Sequence, residues 1–195
     1  MKKRIVIGIS GASGVIYGIR LLEILKKMGS WETHLVITEA AKKNIEIETD
    51  YRLEDVEEMA SFSYAQDDMT APISSGSFLT EGMVVIPCAI KSLSGIANSF
   101  NTNLLVRAAD VTLKEKRRLI LVVRETPLHM GHLELMKKAA LMGAIILPPI
   151  PSFYHQPKSI QDIIDHIIGK ILDHFKIEHQ LYKRWSGVKQ NRLSS

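Results

Sequence analysis

Residues 8–18, GISGASGVIYG, crowd four glycines and two serines behind the apolar run RIVIGI. A glycine-rich turn leading into a helix exposes backbone N–H groups where the helix dipole favours an anion. The stretch therefore reads as a phosphate nest, with Ser10 and Ser13 adding hydroxyl donors. The same residues would also make a tight turn with a serine-capped helix. Spacing argues against two familiar nucleotide loops. Gly8, Gly11, Gly14 and Gly18 are separated by three, three and four residues, and Ser10 stands where a dinucleotide fingerprint needs its second glycine. Glu39, after the second strand, keeps a nicotinamide reading open as a ribose ligand. A phosphate loop of the Walker type needs a closing glycine, lysine and hydroxyl residue, and none follows.

Further along, Arg124 and Glu125 close an apolar strand, where an arginine can fork onto phosphate and a carboxylate can exchange a proton. An internal ion pair is the plainer alternative. Arg107 and Lys114 are two helical turns apart and can face one pocket, or simply solvent. PPIPSFYHQPKS (148–159) is a proline-braced loop in which Tyr154 could donate to a phosphate or merely pack. Its neighbour His155 alternates away and is not the expected base. Lys170, on the last helix, gains meaning only if that helix packs beside Tyr154; otherwise it snorkels to solvent. Ser92 and Ser94 serve equally as helix caps or phosphate donors. Cys88 reads as a packing residue rather than a nucleophile, because no histidine is placed to activate it. His129 and His132 lack the further ligands a metal site needs, so no metal is expected.

These residues must be positioned by an alternating fold. Strands are predicted at 4–9, 33–38, 82–88, 117–125 and 144–149, and helices at 14–28, 39–47, 53–60, from 92, 103–113, 131–143 and 159–175. Residues 62–78 read as a long polar connection. Strands separated by helices imply an α/β, Rossmann-like or flavodoxin-like three-layer sandwich with a mostly parallel sheet. Ligands collect at the carboxyl ends of such strands, so 10–14, 38–39, 87–95, 124–129 and 148–155 matter most.

The chain has 195 residues, 46% of them apolar and 24% charged, which suits one globular domain over 1–195, with 176–195 as a C-terminal extension. One cysteine supports neither a disulfide framework nor a thiolate cluster. The basic residues behind the net charge of +4 are dispersed and the aromatics form no stacking series, which argues against nucleic acid. No apolar run reaches the roughly 20 residues of a membrane span. The start MKKRIVIGIS is interrupted too early for a secretion signal, so a cytoplasmic location is expected.

Taken in order, GISGASGVIYG, ETD (48–50), SSGSF (74–78), VIPCAIKSLSGIA (85–97), NLLVRAADVTLKE (103–115), LILVVRETPLHMGHLELM (119–136) and PPIPSFYHQP (148–157) resemble the flavin prenyltransferases of the UbiX/Pad1 type. The resemblance runs from about residue 4 to 185, and the tail EHQLYKRWSG (178–187) resembles the branch encoded beside phenolic acid decarboxylases. It implies an enzyme that joins a dimethylallyl group from dimethylallyl phosphate to N5 and C6 of reduced FMN. The product, prenylated FMN, serves a UbiD-type decarboxylase in aromatic acid decarboxylation. It further implies a metal-independent homododecamer with active sites at subunit interfaces.

On this chain the resemblance places Gly11, Ala12, Ser13, Thr38, Ala89, Ile90, Lys91, Ser92 and Arg124 around FMN, with Arg124 at its phosphate end. It places Arg107, Lys114, Arg124, Tyr154 and Lys170 around the prenyl phosphate. Ser13, Glu48 and Glu125 fall at catalytic positions, Ser13 in a proton relay and Glu48 reaching a neighbouring subunit. Ala89 and Ile90 stand where the family commonly has serine and methionine. Lys170 stands where arginine is typical, which keeps the charge and loses the bidentate fork. Two rival readings are a flavin-dependent cysteine decarboxylase and a non-enzymatic flavin or nucleotide module. The first expects a histidine after the second strand, where this chain has Thr38 and Glu39.

Overall fold

The structure is a computed structural model and describes residues 2–187. It forms two compact units, residues 1–149 and 150–195. The extension expected at 176–195 lies outside the described residues from 188 onward.

The first unit is built on β1 (Lys3–Ile9), β2 (Trp31–Ile37), β3 (Phe62–Tyr64), β4 (Gly82–Cys88), β5 (Arg118–Val123) and β6 (Ile145–Ile146). They lie in the order β3-β2-β1-β4-β5-β6, and every pairing is parallel. Its helices are α1 (Val15–Met28), α2 (Glu39–Glu48), α3 (Leu53–Glu57), α4 (Ile90–Ala97), α5 (Leu104–Lys114) and α6 (Met130–Leu141). This is the doubly wound order, with a reversal between β1 and β4 that opens a crevice at their carboxyl ends.

The central strands read as continuous apolar runs because both faces are covered. Adjacent residues of β1 show it. Gly8 lies under Leu105 of α5, while Ile9 points the other way and touches Gly18 of α1. Burial on both sides leaves Ile5, Ile7, Met83, Val85, Leu119 and Leu121 all but inaccessible. α1 turns its apolar stripe of Val15, Ile19, Leu22 and Leu25 to the sheet and stops at Gly29, whose φ of 68° lets its N–H reach Leu25 and Lys26 carbonyls.

Several elements depart from expectation: β6 spans two residues rather than 144–149, and α3 ends at Glu57 rather than at 60. Within the stretch read as a polar connection, Phe62–Tyr64 forms the edge strand β3, paired to β2, and Pro72–Ser74 forms a 3₁₀ turn. The strand is held by a side-chain stack: His34 of β2 lies parallel to Phe62 at 5.1 Å and bonds the Tyr64 hydroxyl at 3.0 Å. A three-residue strand carries too little periodicity to be read locally. α4 starts at Ile90 rather than 92, which puts Ile90, Lys91 and Ser92 in its first turn.

The second unit contains α7 (Ile160–His174). A reciprocal cap starts it: the Asp162 N–H donates to the Ser159 hydroxyl, and the Asp162 carboxylate accepts from Ser159 N–H. None of the helices among the described residues is long and apolar enough to cross a membrane.

Candidate functional site

The glycine-rich loop follows β1 at the crevice, and the two serines in it have different work. Ser10 is fully buried; its hydroxyl donates to Pro87 O at 2.8 Å and accepts from Ala89 N–H at 2.8 Å. Its proton and a lone pair are thus spent on stapling the β1 loop to the β4 loop, so Ser10 is not the phosphate donor anticipated for it. Ser13 is exposed. The glycines also have local reasons. A Cβ on Gly11 would collide with Ala40, and one on Gly18 would sit 2.6 Å from Ile86 O. Gly14 adopts φ 97°, a left-handed conformation costly to other residues. Its N–H donates to Glu48 Oε2 at 2.7 Å, and Val15 N–H reaches the same oxygen at 3.4 Å. Within its own chain, Glu48 therefore caps α1 with the anion that the helix N-terminus favours.

The other helix at the crevice is left open. Ala89, the N-cap of α4, supplies no side-chain acceptor. Ile90 is half-buried, Lys91 exposed and Ser92 buried. Arg124 N–H donates to Cys88 O at 3.1 Å, which brings the end of β5 alongside this helix start. The Arg124 side chain is exposed, and among the described residues no carboxylate pairs with it. An uncapped helix start beside an unneutralised guanidinium fits the phosphate of a flavin mononucleotide. Thr38, nearly buried, caps α2 by accepting from Ala41 N–H at 3.3 Å. Glu39, the rival ribose ligand, is paired outward with Lys42 at 2.8 Å. Glu125 is exposed and accepts from Thr126 N–H at 3.0 Å; it makes no ion pair with Arg124.

Cys88 is inert by environment. Complete burial pushes its thiol up to about 12, so almost no thiolate exists near neutrality.

Arg107 and Lys114 do share a face of α5, which they turn towards the SSGSF segment. Arg107 Nε donates to Ser74 O at 3.1 Å, and Lys114 lies beside Gly76 while paired with Glu115. Arg117, not singled out by sequence, clamps the same segment through Gly76 O at 2.6 Å and Phe78 O at 2.8 Å. Arg107 uses two of its five N–H groups, one on Ser74 and a longer one of 3.4 Å on Asp110, and retains the rest.

In the second unit Tyr154 is half-exposed, and its hydroxyl lies 3.2 Å from His166 Nε2 on α7. Lys170 is exposed one turn beyond His166, so α7 does pack beside Tyr154, the condition under which Lys170 gains meaning. Sequence reasoning does not single out His166, whose one signal is a polar residue within the apolar run IIDHIIGK. Burial, with His155 and Lys170 nearby, pushes its pKa down. Asp173 collects Tyr182 OH at 2.7 Å, His179 Nε2 at 3.1 Å and Arg184 at 2.5 Å. Burial would raise that carboxyl, but bonds from Arg184, Tyr182 and His179 outweigh it and hold it well below the usual range. Among the described residues no group of three acidic, histidine or cysteine side chains could hold a metal.

A family model described as Flavoprotein matches residues 1–172. The flavin prenyltransferase UbiX of Thauera aromatica is 53% identical over 191 residues, 98% of this chain and 98% of that one. The crystal structure of AnUbiX (PadA1) in complex with FMN and dimethylallyl pyrophosphate matches with a TM-score of 0.94 at 43% identity, covering 97% of this chain and 100% of that chain. A dodecameric FMN-dependent UbiX-like decarboxylase from Escherichia coli O157:H7 matches with a TM-score of 0.92 at 46% identity, covering 94% and 100%. Relatives this similar, matched over nearly the full length of both chains, establish that the chain belongs to the UbiX family of flavin prenyltransferases.

Proposed function

We propose that this chain transfers a dimethylallyl group from dimethylallyl phosphate to reduced FMN, closing a ring through N5 and C6, and releases prenylated FMN to a UbiD-type decarboxylase. The observation that carries the reading is the α4 start: an uncapped helix N-terminus beside the unpaired Arg124, at the reversal of strand order. Gly11, Ala12, Ser13 and Thr38 border the same crevice, and Ala89, Ile90, Lys91 and Ser92 form its opposite lip. FMN supplies the nucleophilic ring atoms; the chain supplies charge, proton transfer and exclusion of water.

Arg107, Lys114 and Arg124, together with Tyr154 and Lys170, hold the prenyl phosphate and balance the charge that grows on it as the allylic C–O bond breaks. In this reading the enzyme works as a homo-oligomer, with its active sites at subunit interfaces. No metal is needed, because basic side chains carry that charge. Glu125, with the departing phosphate, moves the proton required for ring closure, Ser13 relays protons, and Glu48 acts from the α1 start. The helix α6 suits an assembled enzyme: it buries only Ala139 while Met130, Leu133 and Leu141 stay exposed, an apolar face that neighbouring subunits of a dodecamer would cover. The single flavoprotein domain works in the cytoplasm in this reading.

The test is to incubate the protein with reduced FMN and dimethylallyl mono- or diphosphate, then weigh the extracted flavin. Addition of a C5H8 unit makes it about 68 Da heavier. Unmodified FMN with both donors would overturn the assignment.

A further inference from the structure

We infer that His166 is a positioning residue for Tyr154, donating to its phenolic oxygen so that the tyrosine proton is left for the substrate phosphate. The inference rests on the proposed role of Tyr154 as a phosphate ligand. A tyrosine hydroxyl has one proton. Were it given to His166 Nε2, 3.2 Å away, none would remain for a phosphate oxygen. The bond must therefore run from Nε2–H to the tyrosine oxygen when substrate is held. A neutral imidazole can do this if its other nitrogen accepts, and the Ser152 hydroxyl lies within reach, 3.3 Å from Nδ1 and 3.0 Å from Nε2.

The surroundings hold the ring in place and keep it neutral. His166 is buried, with the His155 ring stacked on it at 4.8 Å and 6° and the Tyr182 ring at 4.6 Å. Tyr182 is in turn tied to Asp173 at 2.7 Å and passes over Gly169, where a Cβ would come within 2.5 Å of its ring. Trp185 meets the Tyr154 ring edge-on at 5.9 Å. The titratable groups around the imidazole are His155, Lys170 and Asp173; burial, with His155 and Lys170, lowers its pKa against the opposing pull of Asp173. The ring nitrogens of His166 meet the hydroxyls of Tyr154 and Ser152, so its action on the substrate runs through Tyr154.

A double-mutant cycle on the full-length protein tests it, with Tyr154→Phe, His166→Leu, His166→Gln and the Tyr154→Phe/His166→Leu pair. Initial rates are read against dimethylallyl phosphate, and FMN binding is titrated separately. His166→Leu should raise the KM for dimethylallyl phosphate about three- to tenfold, the loss of one neutral hydrogen bond, with FMN affinity unchanged. His166→Gln, whose amide N–H can replace Nε2–H, should recover to within about twofold. Adding the leucine change to Tyr154→Phe should cost nothing further. Additive losses, or a glutamine variant no better than leucine, would show that His166 only braces the loop and would overturn the inference. Should the leucine variant misfold, His166→Asn, too short to reach the phenol, takes its place in the cycle. An unsubstituted protein that makes no prenylated flavin would instead sink the reaction on which the inference depends.

Discussion

Ser10→Ala and Ser13→Ala, three residues apart in one motif, should behave as opposites. Removing the Ser10 hydroxyl strips Ala89 N–H of its 2.8 Å acceptor and deletes a 2.8 Å bond to Pro87 O in a fully buried place. Pro87 O keeps the Ser10 N–H at 3.1 Å, so the orphaned Ala89 donor is the main loss. An unsatisfied buried donor costs about 1–3 kcal/mol and the second bond adds up to about 1, giving about 1–4 kcal/mol in all and about 2–3 at mid-range. For a chain of this length that lowers the melting temperature by about 5–10 °C. Ser13 is exposed, and its loss should change stability by less than about 0.5 kcal/mol while slowing flavin prenylation. Urea unfolding at matched protein concentration separates the two, since a change in midpoint at constant slope reports stability alone. A Ser10→Ala midpoint equal to that of the parent would refute the staple; an equal drop for Ser13→Ala would refute the division of labour between the serines.

Three further outcomes follow from the geometry. Glu48→Ala should lose about 1 kcal/mol through the uncapped Gly14 and Val15 amides, with Glu48→Gln losing less; identical urea midpoints for all three proteins would count against the cap. Cys88 should resist iodoacetamide in the native protein at pH 8 and react fully in denaturant, because burial suppresses its thiolate; rapid native labelling would contradict its placement. Burial lowers the pKa of His34 despite its bond to Glu32, so the unfolded chain takes up a proton that the folded one refuses. Its contribution is fully present above about pH 6.5, the unfolded value, and is lost as the pH falls through the lowered folded value. His34→Gln should flatten the stability profile over that window, and an unchanged slope would exclude His34 as its source.

The central sheet was legible locally because β1, β4 and β5 are buried on both faces and must be continuous apolar runs. Such a pattern does not depend on which strand lies beside which. The edge strand β3 was not legible: three residues carry no usable period, and what holds Phe62 and Tyr64 is His34, some thirty residues earlier. The motif GISGASGVIYG announced a crevice, yet it could not divide its own residues between packing and chemistry. Ser10 differs from Ser13 only through Pro87 and Ala89, which the parallel pairing of β1 with β4 brings alongside. His166 became visible only when Tyr154 was folded back over α7.

What the sequence by itself determined was the alternation of buried strands and amphipathic helices, and the family to which its ordered motifs belong. Both are properties of residue type and spacing along the chain. Tertiary structure alone decided which polar groups remain available to a ligand. A hydroxyl, carboxylate or guanidinium is open to one only if no backbone or side-chain partner, brought from elsewhere in the chain, has already claimed it.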